Sequence, residues 1–316
     1  MKRFEADGHP GLAYDDLGDP EAPPVVLLHG GAGTRKGWMD IPQRLADDHR
    51  VLVLDLRGHG DSDHADGAYG IEDYASDVEA FIEQVAGGSA ALVGHSWGGL
   101  VAAHVAGTRP ELVERVFFVD APLHWTSIPR SQNSREFRPD DFRAKVDRLL
   151  DDDTGLAEIV AAVVQEWMET GDAFRPRREL LLAYRSRGKS VEDIVEIQMD
   201  APSPLGEGTL GELMGGREVL LEMTRGLLAL DPTMFTTKGR LDGYDPKRPM
   251  TCPVFMLRAD PSTGPPPMGG MFPPEAEEPF LAAHPKATVE FVEGARHLIH
   301  MQMPDLFTEK LEAFLI

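Results

Sequence analysis

The chain is predicted to be an α/β protein, and three observations predict it. Short apolar runs without polar alternation recur at 25–28, 51–54, 90–93, 115–119, 253–257 and 288–292, as expected of strands buried on both faces. Helical patterns lie between most of them, at roughly 38–47, 73–86, 98–108, 274–284 and 303–315, set by period and breaker signals. Gly94-His95-Ser96-Trp97-Gly98 joins one such run to one such helix, the setting of a serine raised on a sharp strand-to-helix turn.

The elements follow in order. The run Val25-Val26-Leu27-Leu28 ends in His29-Gly30-Gly31-Ala32-Gly33, a glycine-rich loop that no Gly-Lys-Ser/Thr follows, so it is not a phosphate cradle. Lys36 stands where a dinucleotide fingerprint needs its third glycine. The next run feeds Asp55-Leu56-Arg57-Gly58-His59-Gly60-Asp61-Ser62. The third feeds the Ser96 turn, where glycines at 94 and 98 spare the neighbouring strand and helix a collision. A serine hydroxyl is a weak nucleophile that needs a histidine base oriented by a carboxylate. The strand at 253–257 is closed by Arg258-Ala259-Asp260-Pro261, which makes Asp260 the leading acid. The strand at 288–292 is followed by Glu293-Gly294-Ala295-Arg296-His297, which makes His297 the leading base. His300, about one helical turn further on, should point elsewhere, and His95 packs in the elbow.

Four stretches carry a resemblance: Val25 to Gly31, Asp55 to Ser62, the Ser96 elbow, and Gly294-Ala295-Arg296-His297. The chain resembles the α/β-hydrolase superfamily over nearly its whole length, apart from a long middle segment. The resemblance implies an α/β-hydrolase fold, a mostly parallel doubly wound sheet with helices on both faces and a site at the carboxyl ends of the strands. It implies two oxyanion donors, the N–H of Trp97 after the nucleophile and that of Gly31 after the His-Gly pair. Asp120 also ends a strand, and some members of the superfamily take their acid there. Most relatives place the acid after the later strand, which favours Asp260. His29, His59, Asp55 and Arg57 read as structural.

The activity so implied is that of a serine hydrolase cleaving a carboxylic ester or lactone through an acyl-enzyme intermediate. Serine at the elbow sets the chain apart from dehalogenase and epoxide hydrolase relatives, which use a carboxylate there. The same triad would serve a C–C bond hydrolase, a proline iminopeptidase-like enzyme or a cofactor-free peroxidase. A non-enzymatic ligand receptor on this scaffold is the reading from another class.

Composition sets further limits. At 316 residues the expected organisation is a core from 1–121 and 249–316, with a mainly helical cap inserted at 122–248. Helical patterns within the cap fall at roughly 139–151, 155–170, 176–187, 190–199 and 217–229. A cap excludes water and shapes the substrate pocket, and Trp125, Trp167, Met168 and Tyr184 are its candidate pocket residues, with Trp38 in the core. The net charge of −22 argues against nucleic acid or an anionic membrane as partner, because polyanions would be repelled. The single Cys252 excludes an internal disulfide and a thiolate cluster, and with no apolar leader in the first residues the expected location is cytoplasmic. Arginine far outnumbers lysine, as in a GC-rich bacterial source. No metal-ligand spacing appears, so no metal and no cofactor are expected. The expected partner is a small-molecule substrate, and oligomeric state is left open.

Overall fold

Five of the six apolar runs become inner strands of one eight-stranded sheet. The structure is a computed structural model describing residues 1–124, 136–152, 154–170, 172, 174–203, 208–214, 216–231, 234, 244–264 and 269–316. Its strands are β1 (Lys2–Phe4), β2 (Leu12–Leu17), β3 (Pro24–Leu28), β4 (Arg50–Leu54), β5 (Ala90–His95), β6 (Val113–Val119), β7 (Val254–Arg258) and β8 (Ala287–Phe291). They lie in the order β1-β2-β4-β3-β5-β6-β7-β8. From β4 to β8 every pairing is parallel, while β2 pairs antiparallel with both β1 and β4.

Successive side chains of a strand point to opposite faces, and both faces are apolar here. Val26, Leu28, Leu52, Leu54, Leu92 and Phe118 enter one core cluster, and Val25, Leu27, Val51, Val53, Val93, Phe117 and Val119 enter another. Among the helices, α1 (Ile41–Leu45), α2 (Ile71–Gln84) and α3 (Trp97–Thr108) come first. The inserted set follows: α4 (Pro139–Asp151), α5 (Leu156–Thr170), α6 (Arg175–Ser186), α7 (Val191–Asp200), α8 (Leu210–Met214) and α9 (Arg217–Ala229). The chain closes with α10 (Glu277–Ala283), α11 (Ile299–Gln302) and α12 (Pro304–Leu315). Tyr74, Val78 and Phe81 of α2 and Leu100, Val101 and Val105 of α3 cover the first face. Ile41 and Leu45 of α1 and Phe307 and Leu311 of α12 cover the second. Each such fully buried side chain contributes about 1.5–3 kcal/mol, and the double coverage explains why the strands read as continuous apolar runs.

The chain divides into two compact units, Met1–Ile128 with Leu230–Ile316, and Pro129–Ala229. The first holds the whole sheet. The second is built from α4 to α9, with a small cluster of Phe137, Phe142, Val146, Val163 and Ala183 as part of its core.

Two elements differ from the sequence reading. The hairpin of β1 and β2 carries no apolar run, since Asp15 and Asp16 sit inside β2. The Asp16 carboxylate accepts from Arg50 and Lys2, which satisfies the charge at a half-buried position. Strand β8 is an edge strand rather than one buried on both faces, with Phe291 44% exposed beneath the Arg258 guanidinium.

Candidate active site

The parallel strands deliver their carboxyl ends to one edge of the sheet, and the candidate residues follow those ends. Ser96 connects β5 to α3 with φ of 50° and ψ of −113°. A non-glycine residue held there is strained by about 1–3 kcal/mol and persists only where its surroundings enforce it. Its neighbours do so. A Cβ on Gly98 would fall 2.2 Å from the Leu28 carbonyl oxygen, and one on Gly94 would fall 2.6 Å from the Gly98 carbonyl oxygen. The Ser96 N–H donates to the Val119 carbonyl at 3.1 Å, fixing the turn against the adjacent strand. Ser96 and Trp97 keep partial exposure.

The carboxylate paired with His297 is Asp120, and this corrects the expectation of Asp260. His297 Nδ1 donates to Asp120 Oδ2 at 2.7 Å. Asp120 follows β6 with φ of 44°, is fully buried, and also accepts the N–H groups of Met271 at 2.7 Å, Ala259 at 3.2 Å and Phe272 at 3.4 Å. Asp260 turns to other partners. It accepts from the Ser262 hydroxyl and N–H and from the Gly294 N–H, and the Ser262 hydroxyl leads the contacts that hold its carboxyl below the usual range. Its own N–H donates to the Ala295 carbonyl at 2.8 Å. Asp260 therefore ties down the loop that carries His297 without touching the imidazole.

His95, one residue before Ser96, places its Nε2 3.1 Å from the His297 carbonyl. The carbonyl accepts, so that nitrogen carries the hydrogen. The His95 ring lies 4.6 Å from both the His297 and His300 rings. Burial, reinforced by these two imidazoles, drives the His95 value well below the histidine norm, so it serves as a neutral donor. The clasp between the elbow and the His297 loop had no motif to announce it.

The glycine-rich loop after β3 stands against the elbow. A Cβ on Gly30 would lie 2.7 Å from His95 Nδ1 and 3.2 Å from Ser96 Cβ, so the Gly30-Gly31 backbone passes beside Ser96. Trp97 is the first residue of α3, where a backbone N–H has no partner within the helix. The second loop braces the first. Asp55 is fully buried, accepts the Arg35 and Asp61 N–H groups and pairs with the Arg35 guanidinium. Arg57 grips Asp77 through Nε and Nη2.

Of the pocket candidates, Trp38 is a correction. It is completely buried, with its ring 4.7 Å from His300 and 6.1 Å from Phe307, so it belongs to the core. Trp125 lies outside the described residues. Trp167 is half-buried, Met168 is 70% exposed and Tyr184 is buried, all within the helical unit. Among the described residues no cluster of potential ligands suits a metal ion, and no helix is long and apolar enough to cross a membrane.

A family model described as alpha/beta hydrolase fold matches residues 23–150. The chain is 37% identical over 108 residues to the AB hydrolase superfamily protein YfhM of Bacillus subtilis (strain 168), covering 33% of this chain and 38% of that one. It is 32% identical over 133 residues to a haloalkane dehalogenase of Bradyrhizobium diazoefficiens, covering 40% and 43%. To the mouse sn-1-specific diacylglycerol lipase ABHD11 it is 37% identical over 113 residues, covering 34% and 36%. The matched stretch thus spans about two-fifths of these relatives' own lengths. Among solved structures, esterase RhEst1 from Rhodococcus sp. ECU1013 superposes with a TM-score of 0.64 at 22% identity, covering 99% of this chain and 97% of that one. The N-acyl homoserine lactone degrading enzyme Est816 gives 0.62 at 18% identity, covering 99% and 100%.

Burial and the nearby His297 pull the value of His300 down from the ordinary 6.5 to about 3, and its Nδ1 has no hydrogen-bond partner among the described residues. A depressed folded value means that the unfolded chain takes up this proton first as pH falls. The contribution is present above pH 6.5 and is lost progressively towards pH 3. Urea unfolding between pH 7 and 5 is expected to show a stability slope that His300→Phe reduces by up to roughly 1.4 kcal/mol per pH unit.

Proposed function

We propose, from the premise that this chain is an α/β-hydrolase-fold protein, that it is a serine hydrolase cleaving a carboxylic ester or lactone. The single observation that carries this is the Asp120–His297 hydrogen bond beside the strained Ser96 elbow. With Nδ1 committed to the carboxylate, His297 offers Nε2 as base. It takes the Ser96 proton as Oγ attacks the carbonyl, and the N–H groups of Gly31 and Trp97 receive the developing oxyanion. Return of the proton to the leaving oxygen gives the acyl-enzyme. Water, activated by the same histidine, then releases the acid.

Esterase and lactonase names among the structural neighbours accompany the fold, and they orient the choice of substrate class. Serine rather than a carboxylate at position 96 separates this chemistry from the dehalogenase named among the relatives. The helical segment 122–248 is proposed as the cap that selects the substrate, with Trp125, Trp167, Met168 and Tyr184 as its pocket residues. Cytoplasmic residence belongs to the same reading and rests on the single cysteine.

A fluorophosphonate probe is expected to label the wild type and not Ser96→Ala, and a panel of p-nitrophenyl esters and lactones to define chain-length preference. Absence of labelling in the wild type would remove the serine hydrolase reading and favour a receptor. The same panel run on Tyr184→Ala tests the cap assignment, with unchanged chain-length preference counting against it.

The two aspartates give an opposed pair of outcomes. Asp120→Asn is expected to lower kcat about 10³–10⁴-fold, because an orienting carboxylate fixes the tautomer of the base. Asp260→Asn should cost less than about tenfold, since a carboxamide oxygen still accepts from Gly294 and the imidazole keeps its partner. Steady-state kinetics on the best panel substrate would reverse the assignment if Asp260→Asn were the more damaging.

A further inference from the structure

The Gly31 N–H belongs to the peptide that joins Gly30 to Gly31, and in a trans peptide it points away from the Gly30 carbonyl. That carbonyl is held twice. His29 Nδ1 lies 2.8 Å from it and the Gly33 N–H donates to it at 2.9 Å. The tautomer of His29 is fixed from its other side, because the Leu56 N–H donates to His29 Nε2 at 3.0 Å. Nε2 therefore presents its lone pair, and Nδ1 carries the hydrogen. The ring is 3% exposed, so water does not compete for either bond.

We infer that His29 is a positioning residue for the oxyanion donor. It works through a relay that runs from the Leu56 N–H, through its imidazole, to the Gly30 carbonyl and so to the Gly31 N–H. The inference rests on the serine hydrolase reading, which gives Gly31 its role. Hydrogen bonds in series polarise one another. A donor on the Gly30 carbonyl shifts electron density along the amide and makes the Gly31 N–H more acidic, besides fixing the plane of the peptide. The second loop supplies both ends of this brace. Leu56 sets the His29 ring, and His59 stands with Nε2 3.1 Å from the Gly31 carbonyl, holding the following peptide.

Two conservative variants separate the relay from mere packing. The amide nitrogen of asparagine reaches where Nδ1 stands, so His29→Asn keeps a donor for the Gly30 carbonyl and loses the acceptor for Leu56. Glutamine reaches where Nε2 stands, so His29→Gln keeps the acceptor and loses the donor. Each gives up one buried hydrogen bond, and their melting temperatures should fall by similar amounts. Their kinetics should not match. His29→Gln is expected to lose about tenfold in kcat with little change in KM, and His29→Asn to recover most of that loss.

An independent readout is the Gly31 amide in protein labelled with ¹⁵N-glycine. Its proton resonance should move upfield in His29→Gln and stay near the wild-type position in His29→Asn. If both variants show the same kcat and the same Gly31 shift, the relay is overturned and His29 is a packing residue. If the wild type turns over no ester or lactone, the hydrolase reading falls by itself, and the Gly31 shift still decides whether His29 governs that amide.

Discussion

The buried carboxylate of Asp120 is the constraint on which the rest of the site depends. A fully desolvated charge is tolerated only when its lone pairs are occupied, and four donors occupy them: the N–H groups of Ala259, Met271 and Phe272, and the imidazole of His297. Those donors come from the end of β7, the segment that follows it and the loop after β8. One side chain thereby gathers three stretches that are distant in sequence and holds the His297 imidazole in one orientation. The neighbouring strand carries the elbow, and the Ser96 N–H on the Val119 carbonyl ties Ser96 to the end of the strand that Asp120 follows.

Around that centre the histidines act as neutral connectors. His95 joins the elbow to the His297 loop through a carbonyl, and His29 joins the first glycine-rich loop to the second. Burial holds both well below the ordinary histidine range. Their service here is directional, since a neutral imidazole offers one donor and one acceptor at a fixed angle. The ion pairs of Arg35 with Asp55 and of Arg57 with Asp77 secure the loop from which this bracing is done.

Much of this was legible in the residues. Continuous apolar runs are read easily when both faces of a sheet are covered. A serine between glycines at a strand-to-helix junction is a narrow signal, because only a tightly crowded turn requires both flanking side chains to be absent. Two things were harder. The hairpin of β1 and β2 is held by charges such as Asp16 with Arg50, and a polar strand gives no periodic signal. The choice between Asp120 and Asp260 was open because both are aspartates closing strands. Only backbone direction decides it: Asp120 is turned to His297 by its left-handed conformation and its three N–H partners, while Asp260 is claimed by Ser262 and Gly294. The His95 clasp follows from the packing of one loop on another, which no single stretch encodes.

The position of Asp120 has a consequence for how the molecule tolerates change. Ser96 and Asp120 both precede the helical unit at Pro129–Ala229, so their spacing is set within one continuous stretch of chain. Had Asp260 been the partner, every alteration in the length of that unit would have stood between the two. Its ends leave and rejoin the sheet-bearing part after Asp120 and before His297, and closing a longer or shorter loop there costs only a slowly growing entropy. A change in the length of that unit thus leaves the spacing of Ser96 and Asp120 across β5 and β6 as it is.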